Sequence, residues 1–401
     1  MKHKRVCILA DSHGLYDDRI YWKQALSLRR SGWDVRILLI GDSHDSGKTH
    51  EGIPFQVIPR RKYFKSRLLN YFYKLLLFKG EYRAMLQRAG DLEADVYHFH
   101  DLRINRIGKK LKELPHKPAV IYDVHEPFSE NIIDYRKVPA MLEPLKRIYA
   151  AYVDRWEKRQ AAKYDFIITT EENVRDRFRK YLPGGRVEII YNYTDLHKER
   201  SDIPFEQRKF DYIYCGGITE YRGALQILRA ASIASGIRKD LKILFLGRVF
   251  SAELRTKMND YIRDNHLEGC VTIHEPVPYS DVPSFYNQSK AGLGIFLPGP
   301  THRIILQIKI FEYMCFGLPI IGSHFGHIAS YIEKDNAGIT VDPGDPEEIA
   351  EAMIRLMSDR ELYERLSENG MKAADEKYRW EFMEQKLIDI YEQLYKNRNT
   401  A

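Results

Sequence analysis

Two charged residues three apart, Lys309 and Glu312, stand in an otherwise apolar run among Ile308, Ile310, Phe311 and Met314. The spacing predicts a short helix over residues 307–316, stopped at Gly317 by a residue free to turn left-handed, then a buried strand over 319–322. An amphipathic helix turns its charges to water, whereas these two share a face that their neighbours would bury. Two chemistries fit. Unpaired N–H groups and the positive dipole end of such a helix favour a phosphate beside Lys309, leaving the carboxylate of Glu312 for a second task. Alternatively the two form an ordinary i,i+3 ion pair, stabilising the helix by a few tenths of a kcal/mol.

Other candidates sit at the ends of predicted strands. Gly216-Gly217 follows a strand over 211–215, and Arg222-Gly223 precedes a helix over 224–235. Glycines let backbone N–H groups approach an anion, and the guanidinium of Arg222 would lie beside them. His125 ends a strand over 119–124, with Pro127 fixing the turn beyond it. The loop over 11–19 reads Asp-Ser-His-Gly-Leu-Tyr-Asp-Asp-Arg. In it His13 and Gly14 face a site, while Asp17 reads as an N-cap for a helix over 19–30. His98 and His100 offer two metal ligands two apart, but no third ligand has matching spacing, and a strand end accounts for them.

These residues hang on a grammar of strand, loop and helix that runs twice. Strands at 6–10, 35–40, 96–99, 119–124, 166–170 and 187–190 alternate with helices in the first half. Strands at 211–215, 241–247, 270–273 and 291–296 do so in the second. This is an α/β chain with two doubly wound parallel sheets, in which ligands gather beyond the carboxyl ends of strands. The polar segment 195–209, with Pro204, reads as the linker. A long helix over 146–163 carries Tyr149, Tyr152, Val153 and Trp156 on one side, and a last helix opens at Trp380 and runs through Tyr391.

At 401 residues the chain is too long for one core. Residues 1–205 hold 39 Lys and Arg against 28 Asp and Glu, a net +11, and the remainder 24 against 28, a net −4, within a total of +7. A basic half points to an anionic partner. Its focus is the stretch 60–88, with nine Lys and Arg against the single acid Glu81, interleaved with aromatic residues. Such a segment either packs as a buried helix with a basic rim or lies in a membrane interface; peripheral membrane contact is the expectation. A nucleic-acid role is not expected, since no base-stacking module recurs. The four cysteines lack metal-ligand spacing and read as reduced core thiols, no eighteen-residue apolar run occurs, and the N-terminus does not read as a signal peptide. The expected location is cytoplasmic, at the inner face of the membrane.

The string Lys-x-Phe-Glu-Tyr-Met-x-x-Gly-Leu-Pro from Lys309 resembles the donor-site helix of nucleotide-sugar-dependent glycosyltransferases of family 4 (group 1), of the bacterial polysaccharide-biosynthesis branch, whose arrangement is called GT-B. The Gly216-Gly217 loop with Arg222 resembles that family's phosphate loop, Tyr-Asp-Val-His-Glu at His125 its sugar-contacting segment, and Asp18-Arg19-Ile20 its first loop. The resemblance implies two Rossmann-like domains facing a cleft: 1–200 for the acceptor, 201–377 for the donor, and 378–401 as a C-terminal helix crossing back to the first. It implies that Glu312 binds ribose and that His125 holds the sugar. Arg222 and Lys309 would stabilise the departing diphosphate, with Gly216, Gly217 and the backbone of Ile305, Leu306 and Gln307 around it. His13, Gly14 and Arg19 would lie on the acceptor side. Two family positions are altered: Ile304 stands where a first Glu is common, and Gly217 where an Arg is.

The expected function is a retaining, metal-independent transfer of a sugar from a nucleotide-sugar, UDP-linked by preference, to a glycan or lipid-linked acceptor in surface polysaccharide biosynthesis. The nucleotide-sugar is a co-substrate, and no cofactor or metal is expected, in keeping with the absence of any Asp-x-Asp triplet. A sugar-nucleotide epimerase of the same fold and a non-catalytic nucleotide- or glycan-binding homologue stay open as alternatives.

Overall fold

The computed structural model describes residues 4–60, 80–100, 102–135, 138–182, 184–299 and 307–400. Most of the basic stretch, residues 61–79, lies outside the described residues, as do Ile304, Ile305 and Leu306. The chain divides into two compact units, Met1–Asn192 with Glu381–Ala401, and Tyr193–Trp380.

In the first unit the elements are β1 (Arg5–Ala10), α1 (π-wound over Asp18–Ala25, α-wound over Leu26–Arg30), β2 (Asp34–Gly41), β3 (Asp45–Lys48), β4 (Pro54–Pro59), α2 (Gly80–Leu92), β5 (Val96–His100), α3 (Asn105–Lys112), β6 (Ala119–Val124), α4 (Phe128–Tyr135), α5 (Glu143–Ala161), β7 (Phe166–Thr169), α6 (Glu172–Arg179) and β8 (Val187–Ile189). The sheet order is β3-β4-β2-β1-β5-β6-β7-β8. All neighbours pair parallel except β3 with β4. Helices on both faces bury the central strands entirely, so Val6–Ala10 runs apolar without alternation. The order reverses between β1 and β5, which opens a crevice beyond Ala10 and His100. Asp17 caps α1 as expected, accepting from the N–H groups of Arg19 and Ile20 at 3.0 Å each.

The second unit runs β9 (Phe210–Cys215), α7 (Ala224–Ile237), β10 (Ile243–Leu246), α8 (Ala252–Asp264), β11 (Val271–His274), α9 (Val282–Asn287), β12 (Ser289–Gly294), α10 (Ile308–Cys315), β13 (Ile320–Ser323), α11 (Gly326–Lys334), β14 (Gly338–Val341), α12 (Pro346–Ser358) and α13 (Arg360–Lys377). Its parallel sheet has the order β11-β10-β9-β12-β13-β14 and reverses between β9 and β12. Helix α10 leads from β12 into β13 and ends at Gly317, whose φ of +62° makes the expected left-handed stop. The segment 195–209, read as a linker, packs into this unit instead. The Phe205 ring meets Tyr363 at 4.7 Å and lies under the Arg360 guanidinium at 4.2 Å, which anchors a stretch that polarity alone marked as loose.

The last helix, α14 (Trp380–Thr400), contributes to the first unit from Glu381 onward. Tyr391 is buried there edge-on to Trp33, ring centroids 5.3 Å apart, and donates or accepts at His98 Nδ1 over 2.6 Å.

Gly247, just after β10, has φ of +147°, and a Cβ there would stand 2.0 Å from the Gly216 carbonyl oxygen. Gly247→Ala is expected to cost about 2 kcal/mol or more in thermal melts, because strain and a backbone clash add. A variant melting with wild type would contradict this packing of the loop after β9.

Candidate active site

The expected cations and glycines meet at the switch point of the second unit. Lys309, in the first turn of α10, is only 4% exposed. Its Nζ lies 3.7 Å from the Tyr214 ring centroid and 5.5 Å from that of Phe296, and among the described residues it has no hydrogen-bond partner. Gly216 admits it: a Cβ there would come within 3.3 Å of Nζ. Arg222 ends a 3-10 turn capped by Thr219, whose side chain accepts from the Arg222 N–H. Its Nη1 reaches toward the Gly217 carbonyl at 3.4 Å, and the Tyr214 hydroxyl donates to the same oxygen at 2.8 Å. Burial first, and the Arg222 charge second, push the Lys309 amino group down to about 7 from the ordinary lysine value of 10.5. Two cations from different elements therefore border one glycine pair, and the buried one lacks a counter-charge at hydrogen-bond distance. An anion is the ligand this arrangement would pay least to accept.

Glu312, one turn on, does not pair with Lys309, so the i,i+3 ion pair is not formed. Its Oε1 accepts from the Tyr279 hydroxyl at 2.9 Å and its Oε2 from the Tyr286 hydroxyl at 2.6 Å. Tyr286 is fully buried, whereas Tyr279, on the turn Tyr279–Asp281, is partly exposed. Oε1 is thus the oxygen on the side of the less buried tyrosine, where a vicinal diol would share it with Tyr279. Gln307 precedes α10 and its side chain makes no cap, leaving that helix end to its backbone. Ile305 and Leu306 lie outside the described residues.

In the first unit, Asp123 at the end of β6 is fully buried between the two histidines of β5, 3.5 Å from His98 Nε2 and 3.7 Å from His100 Nδ1. Sequence spacing offered the histidines no third ligand, and the neighbouring strand supplies one. The carboxylate is engaged otherwise. Arg19 donates to it from Nε and Nη2 at 3.1 Å each, and Gln24 Nε2 at 2.7 Å. Burial would raise the Asp123 carboxyl, but the Arg19 charge, with the neighbouring histidines, holds it well below the ordinary carboxylate range. Arg19, expected on the acceptor side, is instead 3% exposed, with Nη1 donating to the Ile190 carbonyl at 2.8 Å. Its charge serves the buried Asp123 rather than a substrate.

His125 follows that strand with Nε2 2.8 Å from His100 Nδ1. Burial, and then the His98 charge, push His100 well below the ordinary histidine value, so it stays neutral and can fix the His125 tautomer. The His13 ring stands 4.8 Å from that of His125, and His13 Nδ1 is 2.9 Å from Asp17 Oδ2. Gly14 lies in the same loop, and a Cβ there would meet nothing within 4 Å. The fold thus brings His13, Gly14 and His125 together and sets Arg19 inside. At the described ends of the basic stretch, Arg60 and Tyr82 both bind the buried Asp11, at 2.8 and 2.6 Å, and Met85 is buried, while Arg83 and Arg88 are exposed, so that end is a helix with one side in the core and a basic rim. The sequence reading missed Tyr214, Tyr279, Tyr286 and Asp123, whose partners come from other strands and helices.

Two doubly wound parallel sheets, one with a pair of cations over a glycine loop at its switch point, define a GT-B fold. Two family models match the chain, "Glycosyltransferase Family 4" over residues 21–198 and "Glycosyl transferases group 1" over residues 196–373. The chain belongs to the group 1, family 4 glycosyltransferases. Spore coat protein SA of Bacillus subtilis is 26% identical over 255 residues, covering 58% of this chain and 65% of that protein. Alpha-D-kanosaminyltransferase of Streptomyces kanamyceticus is 25% identical over 258 residues, covering 60% and 64%. The chain therefore spans just under two thirds of the length of these relatives. Among solved structures, sucrose-phosphate synthase from Thermosynechococcus elongatus matches with a TM-score of 0.72 at 17% identity, over 98% of this chain and 100% of that one. Anabaena Alr3699/HepE in complex with UDP and glucose matches with a TM-score of 0.71 at 13% identity, over 98% and 100%.

The lowered Lys309 value carries a sign for stability. Between about 7 and 10.5 the unfolded chain binds a proton there that the folded chain does not, so this group's destabilising effect is full below 7 and fades as pH rises through the window. Lys309→Met is expected to melt higher than wild type at about pH 6, with the gap closing toward about pH 10. A variant that melts lower at every pH would contradict the unpaired, buried amino group.

Proposed function

We propose that this chain is a retaining, metal-independent glycosyltransferase, moving a sugar from a nucleotide-sugar, UDP-linked by preference, to a glycan or lipid-linked acceptor in surface polysaccharide biosynthesis. The observation that carries the reading is the buried Lys309 amino group, unpaired among the described residues and set against Gly216 beside Arg222. A nucleoside diphosphate has the charge to fill that position. The UDP preference is supported by the solved complexes of Anabaena HepE with UDP and with UDP-glucose. The transferase reading is supported by the likeness to alpha-D-kanosaminyltransferase.

In the proposed reaction the bond from the anomeric carbon to the diphosphate oxygen breaks. The acceptor hydroxyl oxygen bonds to that carbon on the same face, and its proton leaves with the diphosphate or to solvent. Negative charge grows on the departing diphosphate, where protonated Lys309, Arg222 and the N-terminal turn of α10 would stabilise it without a metal ion. Glu312 Oε1 would accept from the ribose hydroxyls. His125, its ring held by His100, would hold the sugar, and His13 and Gly14 would border the acceptor. Membrane contact through residues 60–88 would bring a lipid-linked acceptor within reach.

The test pairs binding with turnover. Glu312→Ala is expected to weaken nucleoside diphosphate binding about ten- to hundredfold, the loss of charged hydrogen bonds, and to abolish nucleotide release from donor plus membrane extract. Unchanged affinity would remove Glu312 from the site. Appearance of a 2-epimer from UDP-GlcNAc by NMR, without any acceptor, would replace transfer by epimerisation.

A further inference from the structure

Helix α5 in the first unit turns a row of large apolar side chains to water. Its buried residues are Ala150, Val153, Glu157 and Ala161, and the first two pack with Ile132 of α4. On the opposite side Leu145 is 61% exposed, Ile148 65% and Tyr152 64%, after Met141 at 82% in the preceding turn. The steps of four, three and four residues put these on one stripe, about 16 Å long at 1.5 Å per residue. The sequence reading grouped Tyr152 with Tyr149, Val153 and Trp156 on one side; the fold buries Val153, turns Tyr152 outward and sets it with Leu145 and Ile148.

The stripe continues into charge. Arg155 and Arg159 carry on the same spacing, Arg147 lies off the stripe, and all three are exposed. Among the described residues none of the three has an ion pair. The acids of the helix are committed elsewhere: Glu143 to Lys146 at 2.9 Å, Asp154 to Lys158 and Arg177 at 2.8 Å each, and Glu157 to Tyr122 and Arg177 in the core. An apolar end, a tyrosine at the border and a basic end with no free acid match the layers of an anionic lipid surface. A second copy of the chain fits less well, since antiparallel stripes would set the arginines against Met141 and Leu145 rather than against carboxylates.

We infer that the outer face of α5, from Met141 to Arg159, docks the protein on anionic membrane lipid. This deepens the membrane part of the reading above and moves the contact to a different element from residues 60–88. Vesicles containing about one third phosphatidylglycerol in phosphatidylcholine are the probe, with co-sedimentation as the readout. Wild type is expected to bind them, and pure phosphatidylcholine vesicles about tenfold less. Leu145→Glu/Ile148→Glu and Arg155→Gln/Arg159→Gln should each reduce binding about tenfold, with melting temperature and nucleoside diphosphate affinity unchanged. Full vesicle binding by both variants would return the contact to residues 60–88 and overturn the inference. So would a wild-type dimer in sedimentation analysis that the Leu145→Glu/Ile148→Glu variant abolishes. Neither result bears on the donor site, which the nucleotide affinity reads separately.

Discussion

The second unit is organised around one uncompensated charge. A lysine amino group is held out of water at the switch point of a parallel sheet, over a tyrosine ring, with a second cation near by and no hydrogen-bond acceptor among the described residues. Cation–π contact with Tyr214 recovers part of the lost hydration, but not all of it. Such an arrangement persists only where the surroundings fix it. Gly216 makes the room, Gly247 lets the neighbouring loop approach, and Gly317 turns the chain so that α10 leads directly into β13. The charge is best understood as a place kept for a ligand anion, and the cost to stability is the physical reason to expect the ligand to bind there.

The first unit solves the opposite problem, a buried anion that is fully compensated. Asp123 receives Arg19 and Gln24, and two histidines lie along its strand. Because Arg19 also holds the Ile190 carbonyl, one guanidinium ties α1, β6 and the segment after β8 together. The consequence reaches the surface through His100, which holds His125 beside His13. A rigid, charge-matched interior thus presents a chain of imidazoles at the carboxyl ends of the strands, where substrates of this fold class gather.

Much of this was legible in the sequence because it rests on local rules. Charges among apolar residues marked Lys309 and Glu312, a Gly-Gly after a strand marked the loop, Asp17 read as a cap, and Gly317 as a stop. What stayed hidden depends on contacts between distant segments. Tyr279 and Tyr286 reach Glu312 from 33 and 26 residues upstream, with no motif to announce them. Asp123 joins His98 and His100 only because β5 and β6 are neighbours, and Arg19 was placed by its loop although a buried carboxylate claims it. The outward turn of Tyr152 was hidden because a helix with apolar residues on two sides does not say which side finds a partner.

The central claim, that Lys309 is the charge awaiting a diphosphate, is tested most directly by calorimetric titration of UDP at about pH 8 in buffers of different ionisation enthalpy. With the empty-site value near 7, binding is predicted to take up roughly 0.9 proton per diphosphate, and Lys309→Met to remove that uptake and weaken binding. Binding with no proton uptake, and with the same affinity in Lys309→Met, would contradict it.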